Sequence, residues 1–144
     1  MPDSTYQPTD LTLVGNEHVA RYQQTDGTVG YTWNGVPILL LTTTGRKTGS
    51  SRTSALIYGR DGADYLVVAS TGGAPRHPSW YLNLQEHPEA EVQVKADHIP
   101  VLAQTASGRQ RERLWDVVRG YWPNYDVYQQ RTNRVIPVVV LRPT

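Results

Sequence analysis

The most chemically pointed stretch of this 144-residue chain is Gly45-Arg-Lys-Thr-Gly-Ser-Ser-Arg52, in which three cations, three hydroxyls and two glycines fall within eight residues. Glycines let backbone N–H groups approach an anion, and Arg, Lys and hydroxyl groups add charge-assisted hydrogen bonds. The spacing is not that of a P-loop, which needs Gly immediately before Lys-Thr; Arg46 stands there instead. An anion site and a solvated hairpin tip both fit. A second basic, glycine-rich loop, Ser70-Thr-Gly-Gly-Ala-Pro-Arg-His-Pro78, leads directly into a segment bearing Trp80 and Asn83. If both loops lie at one end of a barrel, Arg46, Lys47, Arg52 and backbone amides can hold a polyanionic tail while Trp80 and Asn83 address a ring system. Trp80 sealing a helix to a sheet fits as well. Near the C-terminus, Tyr121-Trp-Pro-Asn-Tyr-Asp-Val-Tyr128 sets four rings within eight residues. They suit either core packing or the wall of a pocket for a flat substrate, with a Tyr hydroxyl offering a proton or hydrogen bond.

Other chemistries find little support. With no Cys there is no thiolate nucleophile, disulfide or Cys-ligated metal. His18, His77, His87 and His98 form no i, i+4 pair and accompany no carboxylate cluster, so no metal site is expected. No Gly-x-Ser-x-Gly elbow occurs, and Ser70, at a strand end, is the one Ser in a suggestive setting. Fourteen Lys+Arg against 13 Asp+Glu give a charge of +1, too small a field to favour nucleic acid. Arg109, Arg111, Arg113 and Arg119 read as a solvated helix face. The longest apolar run, Val36 to Leu41, is interrupted by Pro37 and is far short of the roughly 20 residues that span a bilayer. The polar, acidic start MPDSTYQPTD lacks the form of a secretory signal, making the cytoplasm the default expectation.

The elements that must position these residues follow from turn chemistry and periodicity. Residues 1 to about 15 read as a flexible arm, and 16–144 as one domain. Asn16 is placed to cap a short helix through Tyr22, with Asp26-Gly27 turning the chain. Asn34-Gly35 predicts a type I′ hairpin into a strand over Val36 to Thr43, with Pro37 at its start or on an edge. Strands are expected over Thr53 to Gly59, Asp64 to Ser70, Glu91 to Lys95, Ile99 to Thr105 and Val135 to Leu141. Helices are expected from Pro78 to Glu86, with Pro first, and from Gly108 to about Gly120, and a short turn after Pro123 carries Tyr125 and Tyr128. About six strands with three short helices describe an α+β protein built on a small, mainly antiparallel barrel.

Leu41-Thr-Thr-Thr-Gly-Arg-Lys-Thr-Gly49 with Arg52, Ala69-Ser-x-Gly-Gly73, Pro78-x-Trp-Tyr-Leu-Asn-Leu84 and Ile136-Pro-Val-Val139 together resemble the deazaflavin-dependent nitroreductase family, over roughly residues 36 to 142. The resemblance implies a split β-barrel that binds the 5-deazaflavin coenzyme F420, with no metal, and reduces quinones, nitroaromatics or activated enones by hydride transfer. By position, Arg46, Lys47, Thr48 and Arg52 would hold the phosphate and oligoglutamate tail. Thr53, Ser54, Ala55, Val68, Ala69, Ser70, Thr71, Ser79, Trp80, Tyr81, Leu82 and Asn83 would bound the deazaflavin. Tyr125 and Tyr128 align with substrate-pocket tyrosines, Trp122 stands where another ring is expected, and Tyr125, Tyr128 or Ser70 would donate a hydrogen bond to the acceptor. Thr71 replaces a Lys that some members carry, and a Pro expected near Ala55 is missing. The polar arm, where certain relatives have a membrane-seeking helix, implies a soluble protein, and small split barrels often dimerise. A barrel oxidoreductase using flavin mononucleotide and a non-catalytic carrier of F420 or a lipid-like molecule are the alternatives.

Overall fold

The computed structural model describes residues 15–144; the expected arm, apart from Gly15, lies outside the described residues. Helix α1 (Gly15–Thr25) runs almost a turn beyond Tyr22 and ends at Asp26 and Gly27, whose φ angles are 48° and 82°. β1 (Thr32–Trp33) and β2 (Val36–Thr44) form the predicted hairpin, with Trp33 opposite Val36. Asn34 and Gly35 both have positive φ, 50° and 78°, as a type I′ turn requires.

The chain continues through β3 (Ser51–Ile57), β4 (Gly59–Asp61) and β5 (Asp64–Val68), a single 3₁₀ turn (Thr71–Gly73), and α2 (Ser79–Glu86). It then forms β6 (Glu89–Val94), β7 (Asp97–Thr105), α3 (Gly108–Tyr121), α4 (Asn124–Gln130) and β8 (Val138–Pro143). All pairings are antiparallel, in the order β1-β2-β6-β7-β8-β5-β4, with β3 on the other edge of β2. β3 and β4 are separated only by Tyr58, whose N–H donates to the Pro37 carbonyl at 3.2 Å. They therefore act as one bent strand, and six staves, β2, β6, β7, β8, β5 and β3/β4, close the split β-barrel. Among the described residues β3 itself pairs with β2 alone, so its second edge stays unpaired.

The register follows the pleat, in which successive side chains face opposite sides. From β2, Leu39 and Leu41 point into the barrel with Val67, Val92, Val101 and Leu141, while Ile38 and Leu40 pack outward beneath Tyr22 of α1. From β5 and β8, Leu66, Val68, Val138 and Val140 face outward under Leu114, Val118 and Trp122 of the α3–α4 region. Both faces of these strands are covered, which is why they read as continuous apolar runs.

Several expectations need correction. Among the described residues there are four helices and a 3₁₀ turn instead of three helices. Pro78 precedes the first turn of α2 as its cap, with an extended ψ of 152°, instead of occupying the first helical position. The last strand starts at Val138, not Val135. The Ile136 N–H donates to Gln129 Oε1 (2.9 Å), its carbonyl accepts from Arg111 Nη2 (2.8 Å), and Pro137 has no N–H, so this backbone is taken by side chains before a strand can claim it. The same contact removes Arg111 from the solvated face predicted for it. Arg113 is tied to Asp61 by two bonds of 3.0 and 3.1 Å.

Candidate functional site

The groove beside the open edge of β3 consists of two connected cavities of about 610 and 440 Å³. Asn16, Thr53, Ser54 and Trp80 line both, so the two are continuous.

The larger cavity is walled by the 45–52 loop, the start of β3 and the first turn of α2. It brings together Arg46, Lys47, Thr48, Arg52, Thr53, Ser54, Ser79, Trp80 and Asn83, with no carboxylate in the lining among the described residues. The loop closes on itself. Gly45 N–H donates to Ser50 O at 2.7 Å, Gly49 N–H to Gly45 O at 2.8 Å, and Ser50 N–H to Thr48 Oγ1 at 3.2 Å. Asn83, buried on α2, fixes it to the barrel: Oδ1 accepts from the Arg46 N–H (3.1 Å) and Nη1 (2.9 Å), and Nδ2 donates to Thr43 Oγ1 (3.1 Å). Asn83 thus works chiefly by orienting Arg46, since both lone pairs of its carbonyl are engaged. Lys47 and Arg52 are exposed, and among the described residues neither forms a salt bridge. Three cations at one mouth without a counter-charge make a focus of positive potential, suited to an extended anion.

The smaller cavity is ring-lined and largely apolar. Trp33, Trp80, Trp122, Tyr125 and Tyr128 form it with Val19, Ile38, Ala55, Ile57 and Val68. Trp33 lies 5.8 Å from Trp122, and Tyr125 lies 6.2 Å from Tyr128, centroid to centroid. Ser70 and Thr71 complete one wall. Burial, with smaller contributions from Tyr121 and Tyr128, pushes the Tyr125 phenol well above its ordinary range, so it stays protonated and able to donate. Among the described residues no hydrogen bond is made by the hydroxyls of Ser70, Tyr125 or Tyr128. Three hydroxyls in a ring-lined space that also carries Asn16, His18, Thr53, Ser54 and Thr71 can orient an oxygen-bearing flat molecule.

The wall containing Ser70 is held in an unusual shape. Thr71 has φ of 45°, a left-handed conformation that costs a non-glycine residue energy. At Gly73, φ 84°, a Cβ would come within 2.6 Å of the Tyr128 carbonyl, so this loop passes α4 at backbone contact. Arg134 grips the loop: Nε donates to Ala74 O (2.9 Å), Nη1 to Ala69 O (3.0 Å) and Nη2 to Ser70 O (2.8 Å). Nη1 also lies 3.0 Å from His77 Nδ1, which must be the acceptor because a guanidinium only donates. His77 is accordingly neutral at that nitrogen. Burial first, then the Arg134 charge, hold its pKa below the ordinary value.

Ala69, Tyr81 and Leu82 stand apart from both cavities. Ala69 is fully buried in the barrel core, and the Tyr81 hydroxyl shares a 2.9 Å bond with Thr105 Oγ1. Leu82 is half-buried on α2 and lines neither space. Conversely, Asn16, His18 and Val19 of α1, with Trp33 and Ile38, enter the lining although the sequence reading did not mark them. His18 is buried with Nε2 at 2.7 Å from Gly30 O. The adjacency of Trp33 to the Asn34-Gly35 turn was the one local signal available; the α1 residues come to the site only through tertiary packing. Among the described residues no cluster of three or more metal-ligating side chains occurs, and no helix is long and apolar enough to cross a membrane.

A family model described as F420H(2)-dependent quinone reductase matches residues 14–143. A Mycobacterium tuberculosis protein of the H37Rv strain, named F420H(2)-dependent quinone reductase, is 46% identical over 128 residues, covering 86% of either chain. Two solved structures are similar. One, described as an F420-H2 dependent reductase (FDR-A), is 39% identical with a TM-score of 0.69, over 74% of this chain and 94% of that one. The other, described as a domain-swapped dimer, is 36% identical with a TM-score of 0.72, over 88% and 95% respectively.

Proposed function

The chain belongs to the F420H(2)-dependent quinone reductase family, and from that premise we propose that it transfers a hydride from reduced coenzyme F420 to a quinone or a related activated acceptor such as a nitroaromatic or enone. The observation that carries this reading is the continuity of a cationic cavity with a ring-lined one across Thr53, Ser54 and Trp80. An elongated polyanion ending in a flat ring system fits such a groove: three cations receive one end, and aromatic walls receive the other.

Arg46, Lys47, Thr48 and Arg52 would bind the charged tail. Ser79 and Asn83 support that grip by holding Arg46, whose Nη1 donates to both. Thr53, Ser54, Ala55, Val68, Thr71 and Trp80 would border the ring. When bound, the deazaflavin supplies the hydride. The chain's own contribution is positioning and electrostatics. The aromatic walls exclude water and so strengthen each polar contact inside. Tyr125 keeps its proton and presents it to the acceptor oxygen on which negative charge accumulates, with Tyr128 and Ser70 as further donors in the same space. Water relayed to the open edge of the groove can deliver the final proton, so no separate acid is required. A homodimer also belongs to this reading, supported by the relative described as a domain-swapped dimer.

The test is a titration of the protein with F420 carrying or lacking its oligoglutamate tail, followed by anaerobic mixing of the reduced form with menadione. Saturable binding that weakens without the tail, and oxidation by menadione, are expected. Tight binding without oxidation would leave a carrier, and preference for flavin mononucleotide would point to the other class of barrel oxidoreductase.

A further inference from the structure

The acceptor cavity has two walls from distant parts of the chain, and one side chain connects them. Ser70 stands on the loop after β5, Tyr125 and Tyr128 on α4. No strand partner holds the loop carbonyls at 69, 70 and 74: all three accept from the Arg134 guanidinium, which also meets His77 Nδ1. Four of its five N–H donors are thereby used within a single loop. Arg134 is itself fixed from the other wall. Gln129, the neighbour of Tyr128 on α4, donates from Nε2 to the Arg134 carbonyl (2.7 Å) and accepts the Ile136 N–H on Oε1 (2.9 Å). A continuous hydrogen-bonded path thus runs from α4 through Gln129 and Arg134 to Ser70, around a loop whose Thr71 is left-handed and whose Gly73 touches the α4 backbone.

We propose that Arg134 is a positioning residue that sets Ser70 against Tyr125 and Tyr128 across the acceptor cavity. It rests on the function proposed above for that cavity. The hydrogen bonds of the Arg134 guanidinium are confined to residues 69–77, and the cationic cavity has its own anchor in Asn83. The tail grip should therefore survive loss of Arg134: turnover of the acceptor falls far more than coenzyme affinity, which loses only the ring contact at Thr71.

Arg134→Ala, and Arg134→Lys as the milder variant that keeps the charge but cannot span three carbonyls, test this. Turnover at saturating coenzyme should fall about 10²-fold, the usual cost of a shift near 1 Å in a reacting geometry, while the dissociation constant of F420 stays within threefold. Guanidinium ion added to Arg134→Ala should restore part of the turnover, which general loss of stability would not allow. In protein without coenzyme, amide exchange at Gly73 and Ala74 should quicken in both variants. Wild-type turnover in either variant, or coenzyme affinity falling in proportion to turnover, would overturn the assignment. Failure of the functional reading shows separately, as wild-type protein that does not oxidise the reduced coenzyme. Exchange in Arg134→Ala then decides alone, and unchanged rates at Gly73 and Ala74 refute the grip.

Discussion

The two ends of the groove are built on opposite principles. In the cationic end the charges come from one short loop, and the fold's effort goes into shaping that loop: Asn83 takes the Arg46 backbone and guanidinium, and leaves Lys47 and Arg52 exposed. In the ring-lined end the hydroxyls come from separate elements, and the fold's effort goes into aligning them through Arg134 and Gln129. The difference teaches that, on the proposed function, gripping the coenzyme's charged tail and aligning the acceptor are separately built, so either should be open to damage without the other.

The sharpest way to break that separation is the double variant Lys47→Ala with Arg52→Ala. Losing two charge-assisted contacts at about 1.5 kcal/mol each should weaken F420 roughly 10²-fold, measured by titration, with turnover at saturation little changed. Unchanged affinity would remove the cationic end from the site. Next in size, Asn83→Ala should destabilise the protein by about 2 kcal/mol, because buried partners on Thr43 and Arg46 lose their bonds together; chemical denaturation reads this, and F420 affinity should fall with it. Tyr125→Phe should cut acceptor turnover about tenfold as one hydrogen bond of roughly 1.4 kcal/mol is lost, with coenzyme affinity intact. Parallel losses in both would show that Tyr125 shapes the whole groove.

The smallest effect is acid-side. The fold favours neutral His77, so the stability tied to its bond with Arg134 is complete above the ordinary value of 6.5 and drains as pH falls below it. His77→Gln retains an acceptor for Arg134 and cannot protonate. Thermal melts on either side of that pH should show a flatter acid loss in the variant than in the wild type.

What could be read in the sequence follows the same division. Gly45 to Arg52 is contiguous, so its cations, hydroxyls and glycines put an anion site forward, beside a solvated hairpin tip, before any fold was known. The Asn34-Gly35 turn and the apolar runs of β2 and β5 were equally local, and they led to an antiparallel barrel. His18 and Val19 gave no signal, because they reach the groove only when α1 packs beside β3. Ala69, Tyr81 and Leu82 fell inside the matching motifs but turn away, since the pleat and the helical period distribute neighbouring side chains to different faces. The late start of β8 was hidden for a related reason: Gln129 and Arg111, remote in sequence, satisfy the backbone of Ile136 that β-propensity alone would have assigned to a ladder.

The unpaired edge of β3 gives the molecule a ruler. Arg52, second in the strand, stands in the charged end and Ile57 closes it among the rings, five steps at about 3.3 Å, or roughly 17 Å apart. That span is a fixed backbone length, so on the proposed function ligands would be graded by the distance between their charge and their ring. A single inserted residue would both lengthen the scale and reverse every graduation on it, so homologous chains that accept shorter or longer ligands should differ in the loops flanking this strand and keep its residue count.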